Sequence, residues 1–225
     1  MLLGDYLYNI VRNKNGVEIG GPSPSTGPFI YQFCNSIDNV IFSPNTIWSQ
    51  HDTYYQVFPN KVGKNIFNDS VNIKDVEDEV YDFVFSSHCL EHIANPLKAV
   101  KEWIRITKKD GFIIIIVPEK SVCFDHKREY SNFSTLLNQY EKDVGEDDLS
   151  TLNEILENHD LSMDPAAGTF EQFKNRSLDN YNNRCLHHYV YNPDLLMQIC
   201  NHFQCEFVYT YTINLDIWFI MKKSL

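Results

Sequence analysis

The sequence predicts an α/β fold of the doubly wound type, with a mostly parallel seven-stranded sheet that ends in an antiparallel C-terminal hairpin. Three observations predict it. Short apolar runs alternate with helical or loop segments through the first half of the chain, the pattern of a sheet covered by helices. Residues 112–117 (FIIIIV) form a nearly unbroken β-branched run, which suits a strand buried on both faces in the middle of a parallel sheet. The terminal stretch CEFVYTYTINLDIWFIMKK reads as two strands joined by a tight connection. With 225 residues, 43% of them hydrophobic and 14% aromatic, residues 1–225 can bury one sizeable core and are read as a single domain.

Taken in order, residues 17–19 form a short first strand, followed by the breaker-rich loop GGPSPSTGP. Residues 39–42 (NVIF), 65–67 (NIF) and 81–85 (YDFVF) supply strands two to four. Asn95 then caps a helix with Pro96 at its first position, and Leu97, Val100, Trp103, Ile104 and Thr107 recur at helical spacing. Lys108-Lys109-Asp110-Gly111 suits that helix's C-terminus, and strand five follows. Residues 121–183 are polar, helical in patches and without strands, and predict a helical lid insertion at about 121–190, over the sheet edge where open α/β folds hold ligands. Asn192-Pro193 opens a further helix to about His202, ahead of the hairpin.

A net charge of -11 with no basic run argues against a nucleic-acid partner, because phosphate binding draws on clustered Lys and Arg. No stretch approaches the roughly 20 apolar residues of a membrane span, and the N-terminus lacks a signal-like pattern, so a cytoplasmic location is expected. The six cysteines are scattered without a C-x-x-C pair, which suggests reduced thiols. His88, Cys89 and His92 form an H-C-x-x-H cluster that looks like three metal ligands. Three donors so close in sequence would have to converge on one ion with no fourth in reach, so Cys89 and His92 are read as packing residues.

Glu18-Ile19-Gly20, the segment YDFVFSSHCLEHIANPLKAVKEWIRITKKDGFIIIIVP and the terminal strand pair together resemble a class I S-adenosylmethionine-dependent methyltransferase. The resemblance implies S-adenosyl-L-methionine as cofactor, with Glu18, Gly20 and Gly21 in the turn that lets backbone approach it. The sequence departs from the usual run of alternating glycines, since Pro22, Ser23 and Pro24 follow. Ser43 or Asn45 would meet the ribose hydroxyls in place of the usual acid. Asp69, with Ser70, would meet the adenine amino group, and Ser86, Ser87 and His88 would edge the pocket. FDHKREYS, VGEDDLSTLNEILENHDL and FEQFKNRSLDNYNNRCLHHYV are similar to methyltransferases linked to surface-polysaccharide synthesis, which implies a sugar hydroxyl as acceptor, on a small molecule or an oligosaccharide.

Transfer from a sulfonium needs the acceptor held in line about 3 Å from the methyl carbon, and a hydroxyl acceptor needs a base. His126 is the first candidate, His88 the second, and Asp125 neighbours the first, though adjacent side chains of an extended chain face opposite ways. Arg128, Asp147, Asp148, His159, Arg184, His187 and His188 give the lid the carboxylate, imidazole and guanidinium groups that read sugars. The same inventory suits a divalent cation in the lid, for which sequence names no ligand set. An N-methyltransferase acting on an amine and a catalytically silent cofactor-binding subunit are the rivals. A nicotinamide-dinucleotide enzyme is disfavoured by the missing G-x-G-x-x-G turn. Oligomeric state is left open.

Overall fold

The computed structural model describes residues 3–45, 54–58 and 61–224. Its strands are β1 (Asn15–Ile19), β2 (Ser36–Ile41), β3 (Tyr54–Phe58), β4 (Lys61–Phe67), β5 (Tyr81–Ser87), β6 (Thr107–Pro118), β7 (Glu206–Ile213) and β8 (Asp216–Lys222). They form one eight-stranded sheet in the order β3-β4-β2-β1-β5-β6-β8-β7. Strands β4, β2, β1, β5 and β6 run parallel, and β8 and β7 are antiparallel, as the C-terminal pattern predicts. The expected seven strands become eight because β3 adds an antiparallel edge to β4. That pair escapes a sequence reading because β4 begins with Lys61 and alternates exposed and half-buried residues, so its first half lacks an apolar signal.

The isoleucine run behaves as its composition requires. Ile113, Ile115 and Val117 join one core cluster with helices α3 (Pro96–Ile106) and α8 (Pro193–His202). Ile114 and Ile116 point the other way, into a second cluster with α1 (Leu3–Val11) and α2 (Pro28–Tyr31). Strand periodicity alone separates the two faces. Asn95 caps α3 by accepting a hydrogen bond from Lys98 N (3.2 Å). Trp103 and Ile106 are fully buried on this helix, whereas Ile104 is only half-buried.

The strand order reverses between β1 and β5, so the crevice above their carboxyl ends is where an open α/β sheet accepts a ligand. Residues 119–191 lie between β6 and α8 and hold α4 (Phe133–Glu141), α5 (Leu152–Asn158), α6 (Phe170–Leu178) and α7 (Asn180–Asn183). This insertion has a small core of its own, from Leu152, Ile155, Ala167, Phe173 and Leu186, while Leu136, Tyr189 and Tyr191 belong to the sheet's core. Among the described residues no helix is long and apolar enough to cross a membrane.

Ile115 is 1% exposed in the middle of β6. Ile115→Ala is expected to lower unfolding free energy by about 2–5 kcal/mol, measured by denaturant titration; a loss near zero would mean that β6 does not form the core.

Candidate active site

A cleft of about 280 Å³ opens over the ends of β1, β2, β4 and β5. Gly20 forms its floor with φ +78°, and its N–H donates to Val40 O at 2.9 Å. A Cβ on Gly20 would sit 2.8 Å from Cys89 Sγ, so no side chain fits between this turn and the end of β5. Gly21 is equally confined: a Cβ there would lie 2.4 Å from the Glu18 carboxyl carbon. Asn39 locks the loop by accepting from Gly21 N (3.0 Å) and donating to Gly21 O (3.3 Å).

Glu18 is fully buried behind this turn. Its Oε2 accepts from Tyr31 OH at 2.7 Å and from Tyr55 OH of β3, while Oε1 has no partner among the described residues. Burial raises the Glu18 pKa against these hydrogen bonds, and it raises both tyrosines as well, which therefore stay protonated.

The rim gathers some predicted residues and leaves others out. Asp69 and Ser70 line the cleft. Asp69 Oδ1 accepts from Val71 N (3.1 Å) and Oδ2 from Arg184 Nη2 (3.2 Å). Ser43 accepts from Asn45 N (3.1 Å) in a local turn, and Asn45 is exposed; the cleft wall at the end of β2 is Val40, Ile41 and Phe42. Ser86 is fully buried within β5, whereas Ser87 faces the cleft with its hydroxyl 2.8 Å from Thr26 Oγ1.

His88 lies at the other end of the cleft, in the left-handed region at φ 49°. Its Nε2 is 2.8 Å from Asp216 Oδ1 and its Nδ1 3.7 Å from Glu91 Oε1. Burial works to lower the His88 pKa, but the hydrogen bond to Asp216 and the nearby Glu91 outweigh it and raise it. Burial, with Glu91 close by, pushes the Cys89 thiol up to about 12, which leaves it protonated and unreactive.

The insertion contributes Glu146 and Arg184 to the cleft. Arg184 spans the gap, 3.3 Å from Glu146 Oε1 and with its guanidinium 4.6 Å from the Phe42 ring centre. Glu146 also accepts from Ala94 N (2.9 Å), so of the run Glu146-Asp147-Asp148 only the first residue turns inward. Asp147 is exposed, and Asp148 caps a turn by accepting from Ser150 N (3.0 Å) and Gln139 Nε2 (3.0 Å).

Asp125 and His126 diverge. His126 Nε2 pairs with Asp160 Oδ2 at 2.9 Å, away from the cleft lining. Asp125 is buried and accepts from His187 Nδ1 (2.6 Å) and Arg128 Nη1 (2.9 Å). Burial would raise the Asp125 pKa, yet these two partners together hold it down at about 2. Arg128 is 3% exposed and donates also to His187 O (2.8 Å), His188 O (3.3 Å) and Glu154 (3.0 Å). With Lys127, Glu154 and Tyr189 it lines a second hollow of about 510 Å³. His159 is sandwiched between Phe124 and Phe173, with ring centres 4.4 and 4.2 Å away. His188 is buried, its N–H donates to Glu91 O (2.7 Å), and burial pulls its pKa down to about 4.

That last backbone bond draws the 187–188 stretch against the turn of residues 90–92. Glu91, His92 and His187 thereby place one donor atom each within 4.8 Å of one another. Both Glu91 carboxylate oxygens and His92 Nδ1 are shielded from solvent without a hydrogen-bond partner among the described residues. Glu91 and Glu146 are the inward residues that sequence reasoning missed. The visible signal for Glu91 was its place between His88 and His92; for Glu146 no local signal separates it from its two acidic neighbours.

Residues 56–115 match a protein family described as a methyltransferase domain, a span that runs from β3 to β6 and includes the 86–93 turn. None of the curated proteins matches the chain significantly. Among solved structures, a SAM-dependent methyltransferase from Methanosarcina mazei is similar at 10% identity, over 98% of this chain and 97% of that one, with a TM-score of 0.54. The trans-methyltransferase CalH in complex with SAH is similar at 12% identity, over 98% of this chain and 54% of that one, with a TM-score of 0.53. The N-methyltransferase NodS from Bradyrhizobium japonicum WM9 is similar at 8% identity, over 99% and 94%, with a TM-score of 0.50. At these identities the likeness establishes the fold.

Arg128→Met removes a buried guanidinium and leaves the buried Asp125 carboxylate with His187 as its remaining side-chain partner among those described. It is expected to cost about 3–5 kcal/mol within the insertion and to speed amide hydrogen exchange in residues 119–191 while β6 stays protected. Unchanged exchange there would show that Arg128 does not hold the insertion.

Proposed function

We propose that this chain is an S-adenosylmethionine-dependent methyltransferase that methylates a hydroxyl oxygen, with a sugar as the acceptor. The observation that carries the cofactor reading is the Gly20 turn pressed against Cys89 at the topological switch point, with the buried Glu18 behind it. S-adenosylmethionine, when bound, supplies an electrophilic methyl group on a sulfonium. The residues fit it. Glu18 braces the turn from behind and adds a carboxyl dipole near the cationic amino-acid end, Gly20 leaves room for close backbone approach, and Asp69 and Ser70 stand at the rim for the adenine amino group. The family match over residues 56–115 and the shared fold support this reading.

On the acceptor side, His88 is the base in this reading. Asp216 holds its Nε2 and supports its basicity, which leaves Nδ1 to take the hydroxyl proton. His126, bonded to Asp160 outside the cleft lining, is further from that role. Arg128, His159 and His188 stand outside the cleft lining, as does exposed Asp147, so acceptor recognition falls in this reading to Arg184, Glu146 and His92, which line it. The sugar rests on the resemblance of the insertion segments.

A second reading, transfer to an amine, is favoured by Glu146, an acidic residue of the cleft lining whose Oε2 has no hydrogen-bond partner among the described residues and could accept from an amine N–H. An amine sheds its proton to water and needs His88 less.

Gly20→Ala is expected to weaken S-adenosylmethionine binding at least about tenfold by calorimetry, since both the backbone angle and the space disfavour a side chain. With nucleotide-sugar and oligosaccharide acceptors, His88→Ala should lower kcat by about 10²–10⁴ and His126→Ala far less. The reverse pattern would return the base to His126, and full turnover of an amine by His88→Ala would select the second reading. Absence of S-adenosylmethionine binding to the wild type would remove both.

A further inference from the structure

We propose that Glu91, His92 and His187 form a binding site for a divalent first-row transition cation on the acceptor side of the cleft. The role given to the ion rests on the methyl-transfer reading; the site itself does not.

Three independent features point to a missing ligand. The donor atoms lie within 4.8 Å of one another although His187 belongs to the insertion and the other two to the turn after β5. Metal bonds of about 2.0–2.2 Å place cis donors roughly 3 Å apart, so modest side-chain rotation closes the set around an ion. Glu91 is 1% exposed, and neither of its oxygens has a hydrogen-bond partner among the described residues, the nearest charged group being His88 Nδ1 at 3.7 Å; His92 Nδ1 is likewise buried and without a hydrogen bond. Burying such groups without a partner is unfavourable, and a cation held by Glu91 and His92 would supply one.

The third feature is the support behind His187. Its Nδ1 donates to Asp125 Oδ2 at 2.6 Å, and Asp125 is backed by Arg128 at 2.9 Å. A carboxylate on one imidazole nitrogen fixes the ring and leaves the other nitrogen as the ligand atom, the arrangement found behind metal-bound histidines. The His187 ring stands edge-on to His92, with centres 4.5 Å apart, so both rings border one small volume.

Two imidazoles and one carboxylate select borderline ions such as zinc, cobalt or iron(II) over magnesium or calcium, which prefer oxygen ligands. Of the three, His92 lines the cleft, which puts the site at the cleft's inner wall. An ion there would bind an acceptor oxygen and lower its pKa beside His88, whose Nδ1 is 3.7 Å from Glu91.

The test is titration of Co²⁺ into chelator-stripped full-length protein, read by its visible absorption and by calorimetry, with S-adenosylmethionine binding measured on the same samples. The expected result is one equivalent bound, weakened about 10-fold or more in Glu91→Gln and His187→Asn, weakened about 10–100-fold in Asp125→Asn, and unchanged in the surface variant His202→Ala. Wild type should also melt higher with Co²⁺, and Glu91→Gln should not. Non-saturable binding, or affinity retained by both Glu91→Gln and His187→Asn, overturns the site and leaves the methyl-transfer reading standing if S-adenosylmethionine still binds. Ligand-dependent Co²⁺ binding without S-adenosylmethionine binding keeps the site and removes the methyl-transfer role.

Discussion

The insertion's side of the cleft depends on a buried cation, Arg128. A guanidinium withdrawn from water is costly unless its donors are all used. Here they reach the Asp125 and Glu154 carboxylates and the carbonyls of His187 and His188, joining the turn after β6, helix α5 and the strand-like stretch before α8. These segments lie far apart in sequence, and they also meet through apolar contacts, with Leu186 packed on Leu152 and Ile155 and the Phe124 ring centre 4.7 Å from that of His187. The fork of Arg128 adds direction to that packing and helps to set where His187 stands relative to Glu91 and His92.

Much of the architecture was legible because it rests on short-range pattern. The isoleucines of β6, the Asn95-Pro96 helix start and the C-terminal strand pair each state their structure locally, and tertiary packing agrees with them. The first half of β4 was not legible because its residues alternate half-buried and exposed, with Lys61 and Gly63 where apolar residues would announce a strand, and β3 (YYQVF), though aromatic-rich with Tyr55 buried, is a five-residue edge strand whose one partner is that silent half. Helix α1 also passed unmarked, although Leu7, Ile10 and Val11 bury against the face that carries Phe83 and Phe85.

The site was legible only in part, for a different reason. Gly20, Asp69, Ser70, Ser87 and His88 follow directly from strand ends, and all five reach the cleft. The insertion residues do not follow from anything local. Asp125 and His126 are neighbours that part company, and Glu146 is distinguished from Asp147 only by which one meets Ala94 N. In the H-C-x-x-H cluster, the third donor close to Glu91 and His92 is neither Cys89 nor His88 but a histidine from the far end of the insertion, brought near by the bond from His188 N to Glu91 O.

The bridge from Glu146 through Arg184 to Asp69 joins the insertion to the sheet across the mouth of the cleft. Because this closure is made of charge and a ring stacked under a guanidinium, parting it requires no core to come apart. Solvent ions compete for such pairs as the mouth begins to open. The strength of this closure is thus sensitive to ionic strength in a way that the apolar frame beneath it is not.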